Sequence, residues 1–171
     1  HRLRTLAQDA IDAAQANRDA KAPQTGKYGA LLSHLKDIGV AKKSPTRAVV
    51  FAERVVTLNA ISAALPGDLG LKPDQVAILH GGMSDVDQLA VVDEFKRASS
   101  PLRVLVTGDV ASEGVILHAQ CHQLVHYDIP WSLIRIEQRN GRIDRYGQTH
   151  PPQITTLVLD PDTGAASGSS D

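Results

Sequence analysis

Apolar residues recur at two different spacings along this chain, and the switching between them predicts its elements. Leu3, Leu6, Ala7, Ala10, Ile11 and Ala14 return every three or four positions, so residues 2–20 read as an amphipathic helix. Residues 23–26, with a proline and a glycine, break it. Leu31, Leu32, Leu35 and Ile38 predict a second helix, closed by Gly39. After the turn at Ser44-Pro45, the run Ala48-Val49-Val50-Phe51-Ala52 has the uninterrupted apolar character of a buried strand. Helical spacing returns in Val55, Val56, Leu58, Ile61 and Leu65 and is expected to stop at Pro66. Val76-Ala77-Ile78-Leu79 predicts the next strand. His80-Gly81-Gly82 then turns the chain into a helix with Leu89, Val92 and Phe95 on its apolar side. Ser84 and Asp87 stand like a capping box at the start of that helix, with Asp in the Glu/Gln position.

Further strands are expected at 102–106, 123–127 and 154–159, with a helix over 132–144 following Pro130. Strands alternating with helices indicate an α/β domain with a mostly parallel sheet. The pattern leaves the strand order open. Ligands of such sheets bind at loops leaving the carboxyl ends of the strands. That selects the loop after Phe51, His80-Gly81-Gly82, residues 108–114 and the segment from Asp128 onward.

Composition narrows the function. The 171 residues suit one domain, and 42% apolar with 22% charged residues is ordinary for a globular one. A formal charge of -1 excludes a strongly basic nucleic-acid coat but not a local basic stripe. The single cysteine, Cys121, excludes an internal disulfide and a Cys-rich zinc site. No apolar run reaches the roughly 18 residues of a membrane span. No signal peptide is recognisable, so no membrane partner and a cytoplasmic setting are expected. The start at His1 and the small polar stretch over 163–171 suggest a piece of a larger protein.

The most informative segment is Glu137 to Gln148. On a helix at about 100° per residue, Arg135, Arg139 and Arg142 share a narrow stripe, while Leu133, Ile136 and Ile143 occupy another face suited to the sheet. Arg145 falls near the helix end. Like charges on one face are tolerable when solvated and favourable around an anion. The planar guanidinium fork matches phosphate oxygens, and on a γ-phosphate it stabilises the charge that develops during transfer. Gly141 would allow close approach of a neighbour. The simpler reading is a solvated basic face with Glu137 and Asp144 as local partners.

The order of these segments adds what spacing alone does not. Gln138-Arg139-x-Gly141-Arg142-x-x-Arg145-x-Gly147-Gln148 resembles motif VI of superfamily-two helicases in the Swi/Snf-like form. Residues 104–114 resemble motif V. His126-Tyr127-Asp128-Ile129-Pro130-Trp131 is similar to the strand and turn between motifs V and VI. Residues 79–83 resemble the strand-to-helix turn before motif IVa, and residues 48–52 resemble motif IV. The resemblance covers about Lys27 to Leu159. It implies a three-layer RecA-like (P-loop NTPase-like) α/β domain: a leading helix at 1–26, the helicase C-terminal lobe at 27–160 and a flexible tail or linker at 161–171.

The same resemblance implies a second motor lobe of an ATP-dependent DNA translocase or helicase, with RNA a possible track. Its partner is the first RecA-like lobe of the same parent chain, which holds ATP and Mg²⁺. Arg142 and Arg145 would be the arginine fingers. Gln138 and Arg139 would support the interlobe surface, and Glu113 and Gly114 would lie by the nucleotide. Thr107 and the loop after Phe51 and Ala52 would face the nucleic-acid backbone, with Gly81 and Gly82 near it. Ile116 stands where many relatives have Asn, and Ser132-Leu133 where they often have Asn-Pro. An isoleucine makes none of the hydrogen bonds of an asparagine.

No G-x-x-x-x-G-K-[S/T] loop is present, so this chain alone is not expected to hydrolyse ATP. Asp93-Glu94-Phe95-Lys96 superficially echoes an acidic box, but Phe95 belongs to a helical apolar stripe, so a structural role is expected. His118, Cys121, His122 and His126 invite a metal reading. A strand over His122 to Tyr127 alternates its side chains between faces, so no metal site is expected. Cys121 reads as a small buried residue, Trp131 as core or hinge packing, and His80 as a nucleic-acid contact or a local cap. Two other functions compete: a degenerate helicase-like lobe kept as an interaction module, and a dinucleotide-binding oxidoreductase. The latter lacks a G-x-G-x-x-G turn after the first strand.

Overall fold

A computed structural model describes residues 26–109, 115–159 and 166–170. The predicted helix over 2–20 lies outside the described residues. Helix α1 spans Gly26–Asp37 and is followed by strand β1, Ala48–Phe51. Helix α2, Val55–Leu69, leads through a short 3₁₀ turn to strand β2, Val76–Leu79. Helix α3, Asp85–Lys96, precedes strand β3, Val104–Thr107, and strand β4, Gln123–His126. Helix α4, Leu133–Asn140, and strands β5, Gln153–Leu159, and β6, Ala166–Ser170, complete the order.

The strands form one sheet in the order β2-β3-β1-β4-β5-β6. All pairs are parallel except β5 with β6. Ala48 is in register with Val104 on one side and Gln123 on the other, which makes β1 central. Every residue of β1, β3 and β4 is buried. That explains their continuous apolar runs: a parallel sheet covered on both faces has no solvated side to alternate with.

Side-chain alternation sorts the core into two layers. Ala48, Val50, Val104, Val106, Val125 and Leu157 point to one face and pack with Leu31, Leu35, Leu58, Ile61 and Leu65 of α1 and α2. Val49, Phe51, Leu79, Leu105 and Leu124 point to the other and meet Val92 and Phe95 of α3, with Leu117, Cys121 and Ile143. Phe95 is thus core, as its helical stripe predicts. The Ser84 hydroxyl caps α3, accepting from the Asp87 amide at 3.2 Å and donating to its carboxylate at 2.7 Å.

Three local expectations differ from the structure. Helix α2 runs through Pro66 to Leu69 instead of stopping. The last turn closes because Gly70 adopts a left-handed φ of 64° and the Leu71 amide donates to Pro66 O at 2.8 Å. Helix α4 is eight residues long and ends at Asn140, four short of the expected limit; turns carry the chain from Gly141 onward. Strand β6 falls in the tail where sequence shows only small polar residues. Its backbone pairs antiparallel with β5, from Leu159 against Ala166 to Thr155 against Ser170.

Candidate functional site

The strand order reverses around β1: its neighbours β3 and β4 arrive by separate connections, so the carboxyl ends beside it are the topological switch point at which such sheets bind ligands. A polar cluster fills that end. Asp109, just beyond β3, receives a two-pronged bond from Arg139 of α4, Nε to Oδ1 at 2.5 Å and Nη2 to Oδ2 at 2.8 Å. Arg139 Nη1 donates to the Asp128 carbonyl at 2.9 Å. The guanidinium lies 5.2 Å from the centre of the Phe51 ring. Arg139 is 1% exposed. Burial of such a charge is tolerable because its fork is matched and its remaining edge is hydrogen-bonded. Arg135 reaches the same carboxylate at 4.0 Å.

His126, the last residue of β4, is buried beside this pair. Its Nε2 lies 2.9 Å from Asn140 Oδ1, and its Nδ1 lies 3.4 Å from Arg139 Nη1. An amide oxygen only accepts, so Nε2 carries the proton and Nδ1 turns its lone pair to the guanidinium. Burial pulls the imidazole below its ordinary pKa. The Asn140 bond opposes that shift, Arg139 adds to it and Asp109 opposes it. Asp128 anchors α1 to the same edge, accepting from Lys27 Nζ at 3.2 Å and from the Glu53 amide at 3.2 Å.

The expected arginine stripe therefore divides. Arg139 points inward, buried on the Asp109 carboxylate. Arg142 is half-buried, with Nη1 3.4 Å from Val115 O, while the Leu117 amide donates to Arg142 O at 3.0 Å. Arg145 and Gln138 are exposed. Asp109, 30 residues before Arg139 in the chain, partners both arginines of α4, Arg135 and Arg139. Leu133 is 78% exposed and does not reach the sheet. It stands about 120° around α4 from Arg139, whose side chain claims the inward face. Gly141 has an ordinary right-handed φ of -62° as the C-cap, whereas Gly147 needs its φ of 93° for the following turn.

The other expected contacts are placed as follows. Phe51, Ala52 and Thr107 are fully buried, and the Thr107 hydroxyl donates to Gly108 O at 3.2 Å. Their side chains pack into this edge of the sheet and present no surface to solvent. Gly81 and Gly82 are exposed after β2. His80 Nδ1 accepts from the Gly82 amide at 3.1 Å, a local cap. Glu113 and Gly114 lie outside the described residues. Trp131 is fully exposed, contrary to the packing expected of it. Cys121 is buried, and burial pushes its thiol up to about 12. His122 stacks on His150 with ring centres 5.0 Å apart, whereas His126 bonds Asn140. No cluster of three or more metal-ligating side chains occurs among the described residues. No described helix is long and apolar enough to cross a membrane.

Residues 26–147 match the model of the helicase conserved C-terminal domain. The chain belongs to this family. The helicase lobe is 35% identical over 86 residues to the RNA polymerase-associated protein RapA of Cronobacter sakazakii. That alignment takes 50% of this chain and 9% of the relative, so the chain spans a small part of that protein's length. Among solved structures, the lobe resembles the C-terminal part of the Fun30 ATPase domain, with a TM-score of 0.68 and 21% identity over 80% of this chain and 41% of that one. It also resembles domain 2 of the DEAD-box helicase Mss116p, solved bound to an RNA duplex, with a TM-score of 0.62 and 21% identity over 82% of this chain and 50% of the other. These likenesses establish a RecA-like helicase lobe with a parallel central sheet and flanking helices. Sequence reasoning missed Asp109, His126 and Asn140 as a group. The available signal was an acid one turn past a strand end at the reversal of strand order.

Proposed function

We propose that this helicase lobe is the second motor lobe of a nucleic-acid-dependent ATP hydrolase, a DNA translocase or helicase, with RNA the alternative track. ATP binds between it and a first RecA-like lobe of the parent chain, which supplies the phosphate-binding loop and holds Mg²⁺. Arg142 and Arg145 act as arginine fingers on the γ-phosphate. Gln138 contributes to the interlobe surface, and Glu113 and Gly114 lie near the nucleotide. Arg139 acts behind them, holding the motif V and motif VI segments together through Asp109. Gly81 and Gly82, with the loops after Ala52 and Thr107, offer backbone amides to nucleic-acid phosphates, a contact that carries no base preference.

The division of the arginines carries this reading: Arg139 is locked inside by a matched carboxylate, while Arg145 is exposed in the turn that follows. The test is ATP hydrolysis by the parent protein with no nucleic acid, duplex DNA, single-stranded DNA or RNA, beside Arg142→Ala and Arg145→Ala. Duplex stimulation lost in both variants supports the motor. Absence of hydrolysis in every condition by folded protein favours an interaction module instead.

A further inference from the structure

The turn bearing Arg142 and Arg145 leaves α4 through backbone bonds to its last two residues, and the Leu117 amide holds it farther on at Arg142 O. The Arg142 amide donates to Arg139 O at 3.0 Å. The Ile143 and Asp144 amides donate to Asn140 O at 3.1 and 2.9 Å. What holds residues 139 and 140 therefore sets where this turn leaves the helix. Their side chains converge on one ring: His126 bonds Asn140 Oδ1 through Nε2 and faces Arg139 Nη1 through Nδ1. The ring is 2% exposed and lies 6.4 Å from that of Phe51, tilted by 31°. It sits at the end of β4, an interior strand of the sheet.

We infer that His126 is a positioning residue for the arginine-bearing turn, fixing the last turn of α4 through Asn140 and Arg139. The inference rests on the functional reading above and names a residue outside the arginine motif. It requires the neutral ring with its proton on Nε2. Protonation at Nδ1 would place a second cation against Arg139, with Asp109 the carboxylate that faces both and Arg135 already sharing it. Burial keeps the ring neutral at ordinary pH.

Parent ATP turnover, saturated with its preferred nucleic acid, tests this between pH 5 and 8. His126→Leu removes both contacts. His126→Gln keeps an amide donor toward Asn140 and an acceptor toward Arg139 but does not titrate. We expect His126→Leu to lower kcat about tenfold or more with KM for ATP changed less than about twofold, since misplacement of a catalytic group costs turnover before binding. We expect His126→Gln to restore most of kcat at neutral pH and to remove an acid limb that the natural protein shows below its ordinary histidine range. Folded His126→Leu with unchanged kcat overturns the inference. If His126→Leu fails to fold, the Gln variant decides: an acid limb identical to that of the natural protein overturns it, and loss of that limb sustains it. A natural protein without nucleic-acid-stimulated hydrolysis refutes the functional reading and this inference with it; an active protein indifferent to both substitutions refutes this inference alone.

Discussion

Arg139 and Arg145 belong to one short motif, yet the lobe treats them differently. Arg139 is 1% exposed, with its fork on Asp109, a third bond to a backbone carbonyl and an aromatic ring beneath it. Arg145 stands in solvent, beside a Tyr146 that is exposed as well. A guanidinium stripped of water with every edge matched is an internal strut. One left hydrated, on a turn that strut secures, is free to meet an anion brought by another domain. The comparison teaches that the same residue type within one motif can be a buried strut or a solvated charge. What separates them is where α4 stops.

The sharpest way to break this contrast is catalytic. In the parent, Arg145→Ala and Arg142→Ala are expected to lower nucleic-acid-stimulated ATP turnover by on the order of 10³-fold, with the unfolding midpoint of Arg145→Ala unchanged. Turnover within about twofold of the natural protein would remove the arginine-finger role. Arg139→Met should do the opposite, acting first on stability. It leaves the Asp109 carboxylate, a quarter exposed, without its main partner. Loss of one partner from a buried pair costs about 3–5 kcal/mol; the partial exposure of Asp109 places the expected loss at the lower end, about 3 kcal/mol, measured by urea unfolding. A loss below about 0.5 kcal/mol would mean that Arg139 is no strut.

Much of this lobe is legible in its residues, for definite reasons. Buried parallel strands need continuous apolar runs, so β1 and β3 are visible within a residue or two. The Ser84 cap is visible because a hydroxyl three residues before a carboxylate has one local partner to find. Other features depend on contacts across the chain. Arg139 reads as surface because Asp109 lies beyond β3, far back in the chain. Pro66 reads as a stop because the Gly70 turn that rescues the helix end is a matter of backbone conformation. Strand β6 is invisible because backbone pairing with β5, and not an apolar pattern, makes it. Of the candidate site, the motif positions were legible; the orientation of each side chain was not.

The next effect is one of pH. His126 is neutral when folded because burial lowers its pKa, whereas in the unfolded chain it binds a proton near its ordinary 6.5. The unfolded state therefore takes up more protons as pH falls below that value, and stability declines through the window down to the folded pKa. His122, lowered by burial and then by His150, adds to the same trend. Urea midpoints between pH 7.5 and 5 should fall in the natural chain and fall less in His126→Gln. An identical slope would show that the ring gains no protection from its pocket. Cys121 gives a smaller readout of the same core: with its thiol pushed up to about 12, it should resist alkylation at pH 8 in the folded chain and react on unfolding.

The smallest expected effect lies on the exposed side of the comparison. Trp131 and Tyr146 present their whole rings to solvent, and Leu133 most of its side chain. A group as exposed in the folded state as in the unfolded one gains no transfer free energy on folding. Trp131→Ser should thus leave the unfolding midpoint of this chain unchanged, and a clear drop would show that the indole packs within the lobe. The same substitution sharpens the proposed assembly when made in the parent. If the first lobe covers this surface, Trp131→Ser lowers the parent's midpoint while sparing the isolated chain, because the burial it removes exists only between lobes. An equal absence of effect in both would place Trp131 outside the interlobe surface and leave the arginine turn as the part of α4's neighbourhood that meets the partner.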